Sequence, residues 1–260
     1  MSPSADLDRV VLVTGAGRRI GRAIALELAG GGMHLGLHCR ASAAEAQAVA
    51  EQARALGVRA EVFSADLADA AACEALVPQV LARMGRLDAL VNNASLFEYD
   101  DALSASALAM HAHWRVNTWA PVALARALHA HVSARKGHGC VVNLLDQKLA
   151  NPNPDYFSYT LSKAALHSAT TLLAQALSPA VRVCGVAPGV TLASSSMSAQ
   201  EFERAHALTP LQRSSTPQDI ARAVRFLIES PAITGSTLWV DGGQHLQAQA
   251  RDVLFLVRDE

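Results

Sequence analysis

Short apolar runs alternate with longer amphipathic stretches along this 260-residue chain, and the first such pair is joined by a glycine-rich turn, TGAGRRIG at Thr14–Gly21. Strands are expected over Arg9–Val13, Met33–Cys39, Arg59–Ser64, Leu87–Asn92, Cys140–Leu145, Val181–Val186 and Ser236–Val240. Helices are expected over Arg18–Ala29, Ala43–Leu56, Ala68–Met84, Met110–Arg135, Phe157–Leu177 and Pro217–Ser230. Strands alternating with helices of these lengths argue for a parallel sheet covered on both faces. Right-handed crossovers then give an α/β, doubly wound (Rossmann-type) sheet of seven strands with helices on both faces. Ligands of such sheets lie beyond the carboxyl ends of the strands.

Half the residues are hydrophobic (51%), enough for a sizeable core, and no linker, repeat or low-complexity tract divides residues 1–260, which read as one domain. The net charge of −1 and the lack of Lys/Arg runs point away from nucleic acid. The start, MSPSADLDRV, does not read as a signal peptide, and no apolar stretch reaches the roughly 20 residues of a membrane helix. Cys39, Cys73, Cys140 and Cys184 lack C-x-x-C spacing and read as reduced core residues of a cytoplasmic protein. His111, His113, His129, His131 and His138 cluster in sequence, but their i, i+2 spacing points to different helix faces; they read as surface or interface residues, with no metal site.

In the glycine turn, Gly15 permits a tight bend, Gly17 lets the backbone approach a pyrophosphate, and Gly21 lets the first helix pack on the sheet. The helix N-terminus then offers free N–H groups to phosphates. The spacing is G-x-G-x-x-x-G, one residue longer than the common dinucleotide fingerprint. The end of the second strand, LHCRAS, carries no carboxylate for a ribose 2′-hydroxyl. Arg40 supplies a planar donor fork and Ser42 a hydroxyl, both suited to a 2′-phosphate, with Arg18 adding charge; NADPH is therefore the expected cofactor. The plain alternative is a solvated surface arginine.

Tyr159 and Lys163 stand four residues apart in YTLSK, one helical turn, with Asp146 thirteen residues before the tyrosine. A phenol near an ammonium shifts toward the phenolate and can exchange a proton near neutral pH.

With these residues the chain resembles the short-chain dehydrogenase/reductase superfamily over essentially its full length. The matching pieces are TGAGRRIG, ADL at Ala65–Leu67, NNAS at Asn92–Ser95, Asn117, Tyr159 with Lys163, APG at Ala187–Gly189 and DGG at Asp241–Gly243. Two departures are informative: Arg19 stands where the superfamily usually has glycine, and Asp146 where it usually has a catalytic serine. Both changes are similar to those that mark the pteridine reductases and the bacterial dihydromonapterin reductases. Phe97 in NNASLF and Tyr156, three residues before Tyr159, agree with that resemblance.

The resemblance implies a catalytic set of Asp146, Tyr159, Lys163 and Asn117. Tyr159 donates the proton; Lys163 holds the ribose hydroxyls and lowers the tyrosine pKa; Asn117 positions a water that relays protons to Lys163. It implies a cofactor site comprising Gly15, Gly17, Arg18, Arg19, Ile20, Gly21, Arg40, Ser42, Asp66, Leu67, Asn93, Ala94, Pro188 and Gly189 besides Tyr159 and Lys163. It implies a pterin-like small-molecule substrate held by Arg19, Ser95, Phe97, Asp146, Tyr156 and Tyr159. A flat, polar bicycle wants a stacking partner, which Phe97 supplies. A ring nitrogen wants a proton, which a carboxyl group can exchange and a serine cannot. Asp146 as a plain cap after strand five, Phe97 as a packed loop residue and Asp66 as a helix N-cap are the competing structural readings.

Residues 191–213 read as a lid with Met197, Phe202 and Leu208 as apolar contacts. Residues 248–260 contain Val253–Val257, an apolar run expected to pack against a neighbouring subunit of a homotetramer, near a substrate site. The tetramer itself is expected through the two long central helices. A general carbonyl or 3-oxoacyl thioester reductase of the same superfamily is the alternative activity, weakened by Asp146. A non-catalytic dinucleotide sensor is a third reading, opposed by the intact Asn117, Tyr159 and Lys163.

Overall fold

Strand β1 (Val10–Val13) is four consecutive apolar residues, all of them buried. A strand covered on both faces reads as a continuous apolar run rather than an alternating one. A computed structural model describes residues 9–193 and 197–258. The expectation about MSPSADLDRV therefore concerns residues that, up to position 8, lie outside the described ones. So do residues 194–196 of the expected lid and the last two of the tail.

From β1 the chain runs through α1 (Arg19–Gly30), β2 (His34–Cys39), α2 (Ala43–Ala55), β3 (Ala60–Ser64), α3 (Ala70–Met84) and β4 (Ala89–Asn92). It continues with α4 (Ala107–Trp114), α5 (Ala120–Ala134), β5 (Gly139–Leu144), α6 (Phe157–Ala176) and β6 (Val181–Pro188). It closes with α7 (Ala199–Ala207), α8 (Pro217–Glu229), β7 (Thr237–Val240) and α9 (Val253–Val257). The strands form one parallel sheet in the order β3-β2-β1-β4-β5-β6-β7. The order reverses between β1 and β4, where Val11 faces Ala89 in register. The crevice beyond their carboxyl ends is the switch point of a doubly wound sheet.

Strand side chains alternate between the faces. Val11 and Val13 join a core layer with Ile24, Leu28, Val224 and Leu227 of α1 and α8. Val10 and Leu12 join the opposite layer with Leu76, Leu124 and Leu128 of α3 and α5. The four cysteines are buried and free. No described helix is long and apolar enough to cross a membrane.

The expected helix Met110–Arg135 differs in two ways. It begins earlier, because Ser106 caps it by accepting from the Ala109 N–H. It is also interrupted by a π-turn at Arg115–Trp119, which carries Asn117. Such single π-turns concentrate at functional sites. His113, expected at the surface, is buried, its ring bonded to Ala109 O at 2.9 Å and to the Glu98 N–H at 3.4 Å.

The tail folds back onto its own chain. Val253, Leu254 and Val257 are buried within this one chain. Val253 and Val257 pack with Ala205 of α7, Val190 and Met197. Most of the apolar run is thus packed within its own chain, while Leu256 stays exposed. Asp155, itself buried, pins the segment by accepting from Arg251 Nε (2.9 Å), Arg251 Nη2 (2.8 Å) and the Asp252 N–H (2.7 Å).

Candidate active site

Two cavities meet at the carboxyl end of the sheet, of about 470 and about 510 Å³. Arg19, Ile20, Asn93 and Ser95 line both, so they read as one cleft with two compartments.

The first compartment runs from the glycine turn to the end of β2. Gly15 has φ +64°, and a side chain on Gly21 would place its Cβ 2.1 Å from Gly15 O. Only glycine fits that close approach. Gly17 does not line the cavity as expected. A Cβ there would lie 3.1 Å from Ser42 Oγ and from Ala46 N, so Gly17 makes room for the start of α2. Helix α1 has no side-chain cap and no acidic residue in its first turn, leaving its N–H groups open to an anion. Thr14 Oγ1 accepts from the Asn93 and Ala94 N–H groups at 2.9 and 3.0 Å, and Asn93 Nδ2 donates to Thr14 O at 2.8 Å. The NNAS loop is thereby fastened to the glycine turn.

At the far end lie Arg40, Ser42, Asp66 and Leu67. Arg40 is exposed, and no carboxylate among the described residues pairs with it. Ser42 precedes α2 without spending its hydroxyl on a cap. Arg18 instead pairs with Glu45 at 2.5 Å in an exposed bridge, so much of its charge is already answered. Asp66 is not the cap of α3; Asp69 is, accepting from Ala72 N, while Asp66 accepts from Ala68 N and closes a turn. These residues fit a dinucleotide: a glycine cradle, an uncapped helix end, and a free guanidinium and hydroxyl where a 2′-phosphate would sit.

His38 was not anticipated. It is buried, accepts from Gly15 N at Nδ1 (3.2 Å), and faces Ala65 O at Nε2 (3.0 Å). The Gly15 N–H requires an unprotonated Nδ1, so the proton sits on Nε2. Burial pushes the His38 pKa below 6.5, against smaller opposing effects of Ala65 O and Asp66. A depressed histidine pKa gives stability that is full above pH 6.5 and is lost as pH falls from there toward the folded-state value. His38→Leu is expected to cost roughly 2 kcal/mol at pH 8 through two lost hydrogen bonds. It should also flatten the acid-side fall in stability between pH 7 and 5, read by chemical denaturation. A slope unchanged by the substitution would contradict the brace.

The second compartment gathers Asp146, Tyr159 and Lys163. Tyr159 OH donates to Asp146 Oδ2 at 2.8 Å. Asp146 also accepts from the Lys148 N–H at 2.9 Å, so it is both the cap and the partner of the tyrosine. Burial raises the Asp146 pKa, opposed by its hydrogen bonds from Lys148 N and Tyr159. Burial, the Asp146 charge and the hydrogen bond to it hold the Tyr159 phenol well above its ordinary value. This corrects the expectation that Lys163 lowers the tyrosine pKa. The Lys163 ammonium lies 5.8 Å from the ring centroid and donates to Leu144 O at 2.7 Å, while the carboxylate touches the phenol directly. Burial pushes Lys163 down to about 8. Burial thus pushes both members of the Asp146–Tyr159 pair up.

Asn117 is tied into the wall of the cleft by its side chain. Its side chain accepts from Leu96 N (2.8 Å) and Ser95 Oγ (3.2 Å) and donates to Leu96 O (2.9 Å) and Ser162 Oγ (3.0 Å). All four bonds go to protein, so the side chain shapes the Ser95–Leu96 loop.

Arg19 has φ +51°, the region glycine favours, at a strain of roughly 1–2 kcal/mol. Its guanidinium donates to Ala193 O at 3.0 Å and leans on Leu192 O at 3.5 Å, tying the glycine turn to the lid. Tyr156 is likewise left-handed (φ +53°), which lays its ring against Phe97 at 4.3 Å and 15°. Phe97 meets Tyr159 edge-on at 4.7 Å and remains 48% exposed, so it is more than a packed loop residue. Of the three lid residues expected as contacts, only Met197 lines the cleft; Leu208 is exposed and Phe202 lies tilted against the His206 ring. Lys148 and Asp252 line the cleft and were missed. A lysine two residues after Asp146 was the available signal for the first; nothing local placed Asp252.

The family model described as enoyl-(acyl carrier protein) reductase matches residues 15–245. An uncharacterized oxidoreductase of Mycobacterium tuberculosis is 37% identical over 91% of this chain and 92% of its own. The 3-oxoacyl-[acyl-carrier-protein] reductase FabG of Staphylococcus aureus is 32% identical over 92% of this chain and 99% of its own. A crystal structure of FolM alternative dihydrofolate reductase 1 from Brucella canis, complexed with NADP, superposes with a TM-score of 0.87 at 40% identity. It covers 93% of this chain and 96% of that one. With its parallel sheet, glycine cradle, and Asn117, Tyr159 and Lys163 in one cleft, the chain belongs to the short-chain dehydrogenase/reductase family of oxidoreductases.

Proposed function

We propose that this protein is an NADPH-dependent reductase of dihydropterins, converting them to tetrahydropterins. The observation that carries the reading is the 2.8 Å hydrogen bond between Tyr159 and Asp146, two buried groups whose pKa values are both pushed up, beside an open aromatic face. The likeness to the Brucella FolM structure supports it, as does its bound NADP.

In this reading Arg40 and Ser42 take the 2′-phosphate and the α1 N-terminus takes the pyrophosphate. NADPH, when bound, supplies the hydride. Phe97 stacks on one face of the pterin. Ser95 takes the polar edge of the ring, and Arg19, which lines both compartments, holds substrate and cofactor phosphate together. Reduction of a C=N bond needs a proton at nitrogen as hydride reaches carbon. The Asp146–Tyr159 pair delivers it, and Lys163, with burial lowering its pKa to about 8, restores it. Tyr156 supports Phe97 from behind. The proposal includes a homotetramer through α4, the π-turn, α5 and α6, on which Trp114, Trp119, Leu161 and Leu172 stay exposed.

Reduction of a 3-oxoacyl thioester is the second reading, favoured by the FabG likeness over 92% of the chain. NADPH oxidation with a series of 7,8-dihydropterins, an acetoacetyl thioester and a simple diketone separates the two. Turnover of dihydropterins alone supports the proposal; turnover of the carbonyl compounds alone rejects it.

A further inference from the structure

The wall of the first compartment contains a histidine ring. His38 is 2% exposed, yet lines that compartment. The β1 ladder ends at Thr14, whose N–H donates to Val91 O at 3.0 Å. Gly15 then turns with φ +64°, and its N–H takes His38 Nδ1 as acceptor at 3.2 Å. On the other side of the ring, Nε2 donates to Ala65 O at 3.0 Å. One side chain thus bridges the glycine turn and the segment carrying Asp66 and Leu67, the two walls between which a dinucleotide would lie. Gly15 in turn supports the start of α1: its carbonyl oxygen lies so close to Gly21 that a Cβ there would come within 2.1 Å. A shift of Gly15 is therefore passed on to the uncapped N–H groups of that helix end.

We infer that His38 is a positioning residue for the dinucleotide: its uncharged ring ties the glycine-turn end of the cleft to the Asp66 end, and protonation of the ring opens the site. This concerns the dinucleotide cleft alone and holds for either substrate. A neutral imidazole accepts at one nitrogen and donates at the other, as the Gly15 N–H and Ala65 O require. An imidazolium donates at both, so it meets the Gly15 N–H with a hydrogen of its own. A buried N–H then loses its acceptor, and the turn must move away from the ring. Asp66, on the Ala65 side, favours the charged ring, but burial outweighs it. Arg18, Arg19 and Arg40 line the same compartment from the glycine turn and the end of β2, and they disfavour a further positive charge. Glu45 of α2 is paired with Arg18. Cys39, the next residue, has its thiol pushed up by burial and stays neutral. The phosphates of bound NADP act in the opposite sense and draw a proton toward the ring. The direction of the pH effect therefore separates a ring that must stay neutral from one that merely sits near an anion.

The test measures the NADP+ dissociation constant by calorimetry between pH 8 and 5.5 for wild type, His38→Asn and His38→Leu. Asparagine offers an acceptor oxygen where Nδ1 stands and does not titrate. Leucine is expected to weaken NADP+ binding at pH 8 by roughly ten-fold, the fold-change of one hydrogen bond, and asparagine to recover part of that loss. As pH falls below 6.5, wild type is expected to lose roughly three-fold more affinity than His38→Asn, because protonation removes the form that binds. The 2′-phosphate titrates with both proteins and cancels from the comparison. By reciprocity, NADP+ saturation should lower the pKa of the His38 ring. Nitrogen-15 NMR of the wild-type ring, assigned through its contact with the Gly15 amide, reads that shift without any variant having to fold. Equal pH dependence in wild type and His38→Asn, or a ring pKa that NADP+ leaves unmoved or raises, overturns the inference. A folded His38→Leu that binds NADP+ as wild type does at pH 8 overturns it as well and leaves the ring a structural brace alone.

Discussion

Asp146→Asn is expected to lower kcat for dihydropterin reduction by on the order of 10²–10³-fold, the usual worth of general-acid catalysis, while NADPH affinity stays within about two-fold. Asparagine keeps the shape and still accepts from Tyr159, but it cannot pass on a proton. The pH profile carries the sign. Burial raises the Asp146 pKa, so its acid form persists above the ordinary carboxylate range, and activity that needs that form falls as pH rises through the raised value. The asparagine variant should lose this limb. Stability follows the same linkage: a raised folded-state pKa helps below the unfolded value and is lost as pH rises through the folded one. Asp146→Asn should therefore melt higher than wild type at pH 8, trading activity for stability. Full turnover in the variant would remove Asp146 from the proton path.

Arg40→Asp is expected to reverse the cofactor preference. Losing two charge-assisted bonds to a 2′-phosphate, at about 1.5 kcal/mol each, lowers kcat/KM with NADPH by roughly 10²-fold. The new carboxylate suits the 2′-hydroxyl of NADH. Arg18 is already paired with Glu45 at 2.5 Å in an exposed bridge. Steady-state kinetics with both cofactors at low salt provide the measurement. An unchanged preference would mean that Arg40 is only a solvated surface residue.

The sheet could be read from the chain because its signals are local. The run Val10–Val13, the glycines at 15 and 21 and the capped start of α8 each act within a few residues. Helix ends moved where a cap lay beyond the periodic stretch, as Ser106 shows for α4. The π-turn at Asn117 left no pattern, since one extra residue per turn does not disturb an alanine-rich helix enough to be seen.

The site was legible where a residue type is needed at a fixed spacing, as with Tyr159, Lys163 and Arg40. It was not legible where distant segments meet. Asp252 reaches the cleft only because Asp155, 97 positions away in the chain, binds its N–H. His38 looked like one more strand residue until the fold set its ring between Gly15 and Ala65. The sense of the Tyr159 shift depended on which charge touches the phenol: Asp146 does so at 2.8 Å, while Lys163 turns to Leu144 O.

The most direct test follows the hydride itself. Equal concentrations of a 7,8-dihydropterin and an acetoacetyl thioester compete for the enzyme with NADPH deuterated at the transferred position, and the products are read by NMR. The account predicts deuterium at C6 of the tetrahydropterin and none in the thioester. Deuterium on the new hydroxyl-bearing carbon of the thioester, with an unlabelled pterin, would contradict it.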